Sequence, residues 1–530
     1  MLGNIDLGIA VAYIALILIV GIRAGVGGKR SMGTAEGYFL AGKSLRWPAI
    51  GLALFATNIS TVHLVSLAQS GFDTGLLNGN FEWMAAFSLV LLALFFVPFY
   101  LKSGVATLPD FLERRYDRSS RDWLTFISII SAIVIHIAFS MLAGGIVLKT
   151  LFGINMYLSI TVICVITGMY TILGGLRAVV VTESIQTIVL LAGAFIISFA
   201  AFDRMGGWIP MKTILIAEGG LDRLSMLRGA DDSSGMPWYA VFFGYPILGI
   251  WYWCADQTIV QRVLGAKDEN HGRVGALFCG FLKILPVFIF VLPGLFAYTL
   301  FKSGYLDLSS LGLDAAGHVN SKGIYTLMIT QLLPSGLIGI LVAALLSGLM
   351  SQIFKQRKPE ATDKQLIRIG KISAVIAMVF SLALLPLLDR YESIFNGIND
   401  VIAHIAPPIT CVFLLGVFWR KASAVSAKLT LWIGSFLGMG VFILNKVLPD
   451  SWIGQTPFMM MAFYLFLTCM IIQIILSYRY PVQHSAESEQ LYWKSPLEPL
   501  RGAAWKGIGN YRVLSGLLLA IVTILYIIFR

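Results

Sequence analysis

Long apolar runs separated by short polar connections dominate this chain. Lipid offers no partner for backbone amides, so an apolar run of about 20 residues crosses a bilayer as a helix. Fourteen runs of this kind can be marked, at 5–23, 48–71, 81–102, 123–149, 156–175, 179–203, 237–263, 273–302, 335–354, 368–388, 393–418, 424–445, 456–478 and 512–529. The pattern predicts an all-α, polytopic membrane helix bundle that uses residues 1–530 as a single transmembrane domain.

Two of these runs are interrupted near their middle. The second run contains the polar stretch 57–61, and the seventh contains the Gly/Pro-containing stretch 244–249. Such breaks are tolerated in a membrane only where they are buried or line a cavity. The interrupted runs lie five apart, which is the arrangement of a five-plus-five inverted repeat whose discontinuous helices meet at the substrate. We therefore expect a first repeat at 48–203, a second at 237–418, an extra span with an inner loop at 5–47, and extra spans at 424–530.

Composition and charge agree with a membrane protein. The chain is 57% hydrophobic and only 13% charged, and its mean hydropathy is +0.81. The net charge of +11 is concentrated in alternate connections, which is the positive-inside pattern and not a nucleic-acid site. The pattern predicts a cell-membrane protein with both termini outside. No basic stretch precedes the first apolar run, which we expect to be a retained span rather than a signal peptide.

Cysteine usage and enzyme signatures exclude several classes of function. The five cysteines all lie in apolar runs, and no CxxC or Cys/His cluster occurs, so the sequence implies neither a disulfide framework nor a zinc site. Signatures for metalloproteases, serine hydrolases and P-loop nucleotide binding are also absent. We expect no enzyme, no cofactor and no ATP-driven transport.

Charged groups inside apolar runs are costly and are therefore candidates for function. Lys283 lies within the run 273–302, and Glu82 begins the run 81–102. Two interpretations stay open for each. Lys283 either extends to the inner interface or hydrogen-bonds a polar substrate, and Glu82 is either interfacial or an acceptor for substrate hydroxyls.

Aromatic and amide side chains near the interruptions form a second group of candidates. Trp251, Tyr252 and Trp253 offer flat apolar faces with polar edges, which suit a sugar ring, although an interfacial aromatic belt is the alternative. Further polar side chains in the runs could complete such a site or serve as interhelical hydrogen bonders; they are Asn58, His63 and Asn399. Asp400 and His404 share one helix face, but a lone pair of this kind is weak evidence for a metal.

The motifs resemble those of the sodium/solute symporter family, in its sodium/glucose cotransporter branch, over nearly the whole chain. The matching stretches are 37–44, 56–63, 81–83, 106–116, 174–179, 182–186, 251–257, 260–262, 281–283 and 413–419. Trp251-Tyr252-Trp253-Cys254, followed by Asp256-Gln257 and Lys283, favours the sugar branch. The resemblance implies a sodium-coupled secondary active symporter that imports a hexose-like sugar or a polyol by alternating access.

The resemblance also implies specific site residues. The sugar would lie between the two broken helices, with Tyr252 as an inner gate; the implied substrate-binding residues are Asn58, His63, Glu82, Tyr252, Trp253, Lys283 and Asn399. Sodium, the coupling ion, would be held by oxygen ligands; the implied residues are Ala56, Ile59, Gly348, Ser351 and Gln352.

Two departures from the family pattern leave alternatives open. Asn399 stands where glucose and galactose carriers usually have Gln, so the identity of the sugar stays open. Gln352 replaces a hydroxyl residue, and about fifteen residues, or about four helical turns, look missing after it. The alternative is therefore a sugar-binding sensor or a transport-impaired variant. An intramembrane enzyme with Lys283 and Glu82 as its acid/base pair is a third hypothesis, and the oligomeric state stays open.

Overall fold

Helices account for the regular structure of the described residues, where no β-strand occurs. The computed structural model describes residues 3–26, 44–59, 61–105, 107–161, 185, 188–232, 234–313, 317, 319–352, 378–485, 487–495 and 497–530. The helices are α1 Asn4–Val26, α2 Trp47–Asn58, α3 Thr61–Thr74, α4 Asn80–Leu91, α5 Val97–Ser103, α6 Leu108–Arg115, α7 Arg118–Ser131, α8 Phe139–Phe152, α9 Ile188–Arg204, α10 Trp208–Ala217, α11 Trp238–Ile250, α12 Gln257–Leu264, α13 Glu269–Leu282, α14 Leu292–Lys302, α15 Ile324–Leu332, α16 Leu337–Gln352, α17 Met378–Leu388, α18 Ile394–Phe418, α19 Ala424–Val447, α20 Trp452–Gln455, α21 Phe458–Arg479 and α22 Tyr511–Ile528.

Seven helical stretches of the described residues are long and apolar enough to cross a membrane, or eight if the pair α9 and α10, bent by 68°, forms one span. One of the seven, Thr61–Ser103, has 43 residues, which is about 65 Å of helix and enough for two crossings. The chain is thus a multi-pass helical membrane bundle. The count of fourteen spans stays a prediction, because parts of the runs at 156–175, 179–203 and 368–388 lie outside the described residues.

The interruption predicted in the second run is confirmed. Helix α2 ends at Asn58 and α3 begins at Thr61, and Ile59 between them has the extended backbone angles φ −75° and ψ 126°. Asn58, Ile59 and Thr61 are all buried. The polar run therefore opens the helix inside the protein, where the released backbone groups can face other helices or a bound ion.

The position predicted for the second interruption is wrong. Helix α11 continues through Gly244 and Gly249. Close packing explains the glycine at 244, since a side chain there would meet the backbone of Met459. The break comes later, at Asp256, after a π-helical turn at Trp251–Ala255. The Asp256 carboxylate caps α12 by accepting the backbone amide of Thr258 at 2.8 Å, as an N-cap residue does.

A third, smaller break in the α-helical pattern lies within the run 273–302, although Glu269–Lys302 remains one span of 34 residues, as the sequence predicts. Helix α13 ends at Leu282, Lys283 follows it, and a π-helical turn at Val287–Val291 leads into α14. Pro286 explains the break, because proline has no amide to donate to the preceding turn and its ring clashes with that turn.

Buried side chains tie helix ends together across the sequence. Arg115 is 2% exposed and donates to the carbonyls of Gly416, Trp419 and Ala422 at the end of α18. The last carbonyls of a helix lack amide partners, and a cation there also complements the helix dipole. These bonds anchor the end of α18, whose first half reaches the cavity described below.

The segment 479–511 packs against the helix ends. The backbone amide of Trp493 donates to Val417 at 2.8 Å, and its indole donates to the carbonyl of Phe95 at 3.3 Å. Arg273 donates to the carbonyl of Pro499 at 2.7 Å. The segment therefore joins α18, α13 and the turn that precedes α5.

Candidate functional site

A cavity of about 150 Å³ lies where the breaks meet, with roughly ten times the space that one water molecule needs. All the residues implied as substrate-binding line it: Asn58, His63, Glu82, Tyr252, Trp253, Lys283 and Asn399. They come from α2, α3, α4, the turn after α11, the end of α13, and α18. The structure thus gathers residues that are up to 341 positions apart in the sequence around one space.

A chain of polar contacts crosses one wall of the cavity. The Lys283 ammonium contacts the Glu82 carboxylate and donates to Asn58 Oδ1 at 2.6 Å. Asn58 Nδ2 in turn donates to the Tyr252 hydroxyl at 3.0 Å. Because each member fixes the next, the wall presents a pre-arranged set of donors and acceptors with no unpaired charge among these four side chains.

Local helix geometry places the two charges. Glu82 lies in the first turn of α4, and Lys283 directly follows the last turn of α13. A carboxylate at a helix N-terminus and an ammonium at a helix C-terminus are both stabilised by the helix dipole. Lys283 is 1% exposed and Glu82 is 2% exposed. The interfacial interpretations of both residues are therefore wrong.

The aromatic residues are also buried rather than interfacial. Trp251 and Trp253 are each about 3% exposed or less, so the aromatic-belt interpretation does not hold. The Lys283 ammonium lies over the Trp253 ring, at 5.8 Å from the nitrogen to the ring centroid. The Tyr252 ring packs edge-on against the Trp253 ring. Tyr252 and Trp253 line the cavity, whereas Trp251 is not among its lining residues.

Asn399 on α18 and His63 on α3 also line the cavity. The Asn399 amide donates to the carbonyl of Phe395 at 2.8 Å, so its amide nitrogen is held by its own helix. Phe395 also lines the cavity, as do Ile398 and Ile402. Together with Asn399 they follow the three- and four-residue spacing of one helix face, so a single face of α18 lines the cavity.

The implied sodium ligands are described in part. Ala56 and Ile59 lie at the α2–α3 break, where an α-helix leaves its last carbonyls without amide partners. The Thr61 hydroxyl donates to the carbonyl of Leu345 at 3.1 Å, which joins this break to α16. The side chains of the remaining three ligands, which are Gly348, Ser351 and Gln352, lie outside the described residues, as does the chain from 353 to 377 where helical turns look missing.

Several cavity residues were not predicted from the sequence. Ser66 and Ser140 line the cavity, as does Asp256 at the second break. The Ser66 hydroxyl is buried and has no hydrogen-bond partner among the described residues. A lone hydroxyl in an apolar run was the available signal for the serines, and the preference for Asp as an N-cap residue was the signal for Asp256.

Known proteins resemble this chain over most of its length. The sodium:solute symporter family model matches residues 38–434. Sodium/glucose cotransporter 1 of Sus scrofa is 33% identical over 478 residues, which are 83% of this chain and 72% of the relative. Sodium/glucose cotransporter 4 of Danio rerio is 31% identical, over 85% of this chain and 73% of the relative. The sodium/mannose cotransporter of Bos taurus is 31% identical, over 84% and 80%.

A solved structure shows the same fold. It is a substrate-bound, outward-open state of a Na⁺-coupled sialic acid symporter, with a TM-score of 0.72 at 22% identity, covering 91% of this chain and 100% of that one. At that identity the likeness concerns the fold alone. The family match and the relatives agree with it: this chain belongs to the sodium:solute symporter family, and the curated relatives named above are sodium/glucose and sodium/mannose cotransporters.

Proposed function

We propose that this chain is a sodium-coupled secondary active symporter that imports a hexose-like sugar or a polyol by alternating access. The buried contact chain Glu82–Lys283–Asn58–Tyr252, on the wall of a cavity between two broken helices, carries the proposal. In this proposal the lipid bilayer, a small-molecule sugar and Na⁺ are the partners, and both termini lie outside.

The polar wall suits a neutral polyhydroxy substrate. An ionised carboxylate such as Glu82 accepts hydrogen bonds from hydroxyls, and charge-assisted bonds of this kind are the strong ones. Lys283 and Asn58 supply donors, and Trp253 supplies a flat apolar face for the C–H side of a ring. Because Glu82 and Lys283 already neutralise each other, the contact chain offers no excess charge to a charged substrate.

The α2–α3 break links the proposed ion site to the substrate site. Ala56 and Ile59 would give backbone carbonyls to Na⁺, and Gly348, Ser351 and Gln352 on α16 would complete the shell. The bond from Thr61 to Leu345 supports this arrangement, because Leu345 lies one helical turn before Gly348. Asn58 lies between the two proposed carbonyl donors and also contacts Lys283.

Alternating access would use the two proposed repeats, 48–203 and 237–418, each of which begins with one of the broken helices. Inward movement of one Na⁺ charge yields about 2.3 kcal/mol per 100 mV of membrane potential. The ion can drive the cycle only if it binds one state better than the other. In this proposal it favours the state that binds substrate from outside.

Uptake into proteoliposomes tests the proposal. Purified full-length protein is reconstituted, and labelled glucose, galactose, mannose and inositol are supplied with and without an inward Na⁺ gradient. We expect at least one of them to accumulate only with the gradient, and a K⁺ gradient of the same size to have no effect. Saturable binding of a sugar without Na⁺-driven accumulation would overturn symport and indicate a binding protein.

A further inference from the structure

The outer half of α18 has two faces with different tasks. Phe395, Asn399 and Ile402 face the cavity, whereas Asp400 and His404 do not line it. At about 100° per residue, Asp400 and His404 lie roughly opposite the cavity stripe on the helix. Both are buried, with 7% and 4% exposed. A charged residue immediately after a proposed substrate ligand therefore points away from the substrate.

The opposite face of α18 packs against one stripe of α19. Gly438, Phe442 and Lys446 follow each other at intervals of four residues and so lie on the same side of that helix. A side chain at Gly438 would meet the carbonyl oxygen of His404, which shows how closely the two backbones approach. The Phe442 ring stands edge-on to the His404 imidazole at 5.3 Å between centroids. At the outer end the Lys446 ammonium donates to the carboxylate of Asp400 at 2.7 Å.

Tyr391, in the connection before α18, adds a third arm. Its hydroxyl donates to the same Asp400 oxygen at 3.0 Å, and the Lys446 ammonium lies 4.9 Å from its ring centroid. Burial, and then the Asp400 carboxylate, raise the pKa of the Tyr391 phenol, so the hydroxyl keeps its proton and remains a donor. The ring also packs on Gly397, where a side chain would collide with it. Tyr391 and Lys446 thus both hold one carboxylate oxygen of Asp400, and His404 Nδ1 lies 3.6 Å from the other.

We propose that the Asp400–Lys446 ion pair, completed by Tyr391, sets the rotation of the outer half of α18 about its axis, and that Asp400 is thereby a positioning residue for substrate affinity. This inference rests on the proposed function, in which Asn399 contacts the substrate. A helix turns as a unit over adjacent residues, so an anchor at 400 fixes the direction of the side chain at 399. Asp400 itself contacts neither substrate nor ion.

We call the contacts among Asp400, Lys446 and Tyr391 the clamp. Transport kinetics of the full-length protein in proteoliposomes test it. We expect Asp400→Asn and Lys446→Met each to raise the substrate concentration for half-maximal uptake about threefold to tenfold, as for the loss of a partly exposed charge-assisted bond. The Na⁺ concentration for half-maximal uptake and the maximal rate should stay near the wild-type values. Lys446→Arg keeps the charge, so its substrate affinity should stay near the wild-type value. Lys302→Met is the matched control, because it removes the ion pair with Glu218 without contacting α18.

A second measurement does not depend on transport. Asn399→Cys places a thiol on the cavity face, and its rate of reaction with a small polar maleimide reports which way that position points; the parent with its native cysteines gives the background. We expect Lys446→Met to change this rate at least threefold, and Lys302→Met to leave it unchanged.

The outcomes separate the clamp from the symporter. Equal labelling rates and equal substrate affinities for Lys446→Met and Lys302→Met would overturn the clamp. Parallel losses of substrate affinity, Na⁺ affinity and maximal rate would also overturn it, since they indicate general damage. Absence of Na⁺-driven uptake in the wild type would instead refute the proposed function, and the labelling rates would still decide whether the pair orients α18.

Discussion

Removing Lys283 should show how much the buried ion pair with Glu82 contributes to the stability of the fold. Lys283→Met keeps the apolar stem but leaves the Glu82 carboxylate, 2% exposed, without its cation, and it also removes the 2.6 Å bond to Asn58. Loss of one partner from a buried pair costs about 3–5 kcal/mol of folding free energy. Glu82→Gln should cost a similar amount because it strands the ammonium. The double variant strands no charge, so it should cost no more than either single change.

The wild type, the two single variants and the double variant form a double-mutant cycle. Their free energies of unfolding are measured in mixed micelles of rising SDS fraction by tryptophan fluorescence. The expected coupling between Glu82 and Lys283 is about 3 kcal/mol, well above the error of such a cycle. Lys102→Met is the matched control, because its ion pair with Glu498 has side chains that are 66% and 33% exposed and should contribute about 1 kcal/mol or less.

Substrate binding separates structure from recognition in the same variants. The double variant should fold and yet bind sugar about 10- to 100-fold more weakly, because Glu82→Gln keeps an acceptor oxygen and the loss of one hydrogen bond to a charged group costs about 1.5–3 kcal/mol. Additive losses of stability would refute the buried pair, and wild-type sugar affinity in the double variant would refute its role in the substrate site.

Three further predictions concern the cavity, the proposed ion site and helix packing. Ser66→Ala should lower substrate affinity about two- to tenfold in uptake assays without loss of stability, because the hydroxyl it removes has no partner among the described residues. Thr61→Val removes the bond to Leu345 and should weaken half-saturation by Na⁺ more than half-saturation by sugar; equal shifts would contradict the proposed ion site. Gly71→Ala would press on the Val291 backbone and should cost about 1–3 kcal/mol in SDS unfolding, whereas Gly440→Ala, with open space around it, should be neutral.

The sequence predicts the kind of fold well because membrane helices leave a one-dimensional signal. The described parts of the apolar runs are helical apart from their ends and the breaks, and the polar stretch at 57–61 breaks its helix where predicted. The predicted position of the second break is wrong because a glycine within a helix can either weaken the helix or allow a neighbouring helix to pack closely. Gly244 permits close packing on Met459, which only the neighbouring helix reveals, whereas the true break at Asp256 carries a capping signal in its own sequence.

Pairings between distant residues could not be predicted from periodicity. Lys283 and Glu82 each stood out because a charge in an apolar run is costly, but 201 positions separate them and no local pattern joins them. Their common place in the site came only from the resemblance to known symporters. Asp400 and His404 were correctly assigned to one helix face, yet the partner of that face, Lys446, depends on how α18 and α19 pack.

In the proposed symporter, the three breaks would allow ion and substrate to share one small region. Ending α2 at Asn58 puts backbone carbonyls and the side-chain amide proposed to bind substrate within one turn of each other, and ending α13 at Leu282 brings Lys283 to that same amide. A cation held by the carbonyls of Ala56 and Ile59 would therefore order Asn58, and through it the wall that meets the sugar. Coupling between binding sites is reciprocal, so the factor by which Na⁺ raises sugar affinity must equal the factor by which sugar raises Na⁺ affinity. In this arrangement the coupling needs no long pathway, because both sites act on the same residue.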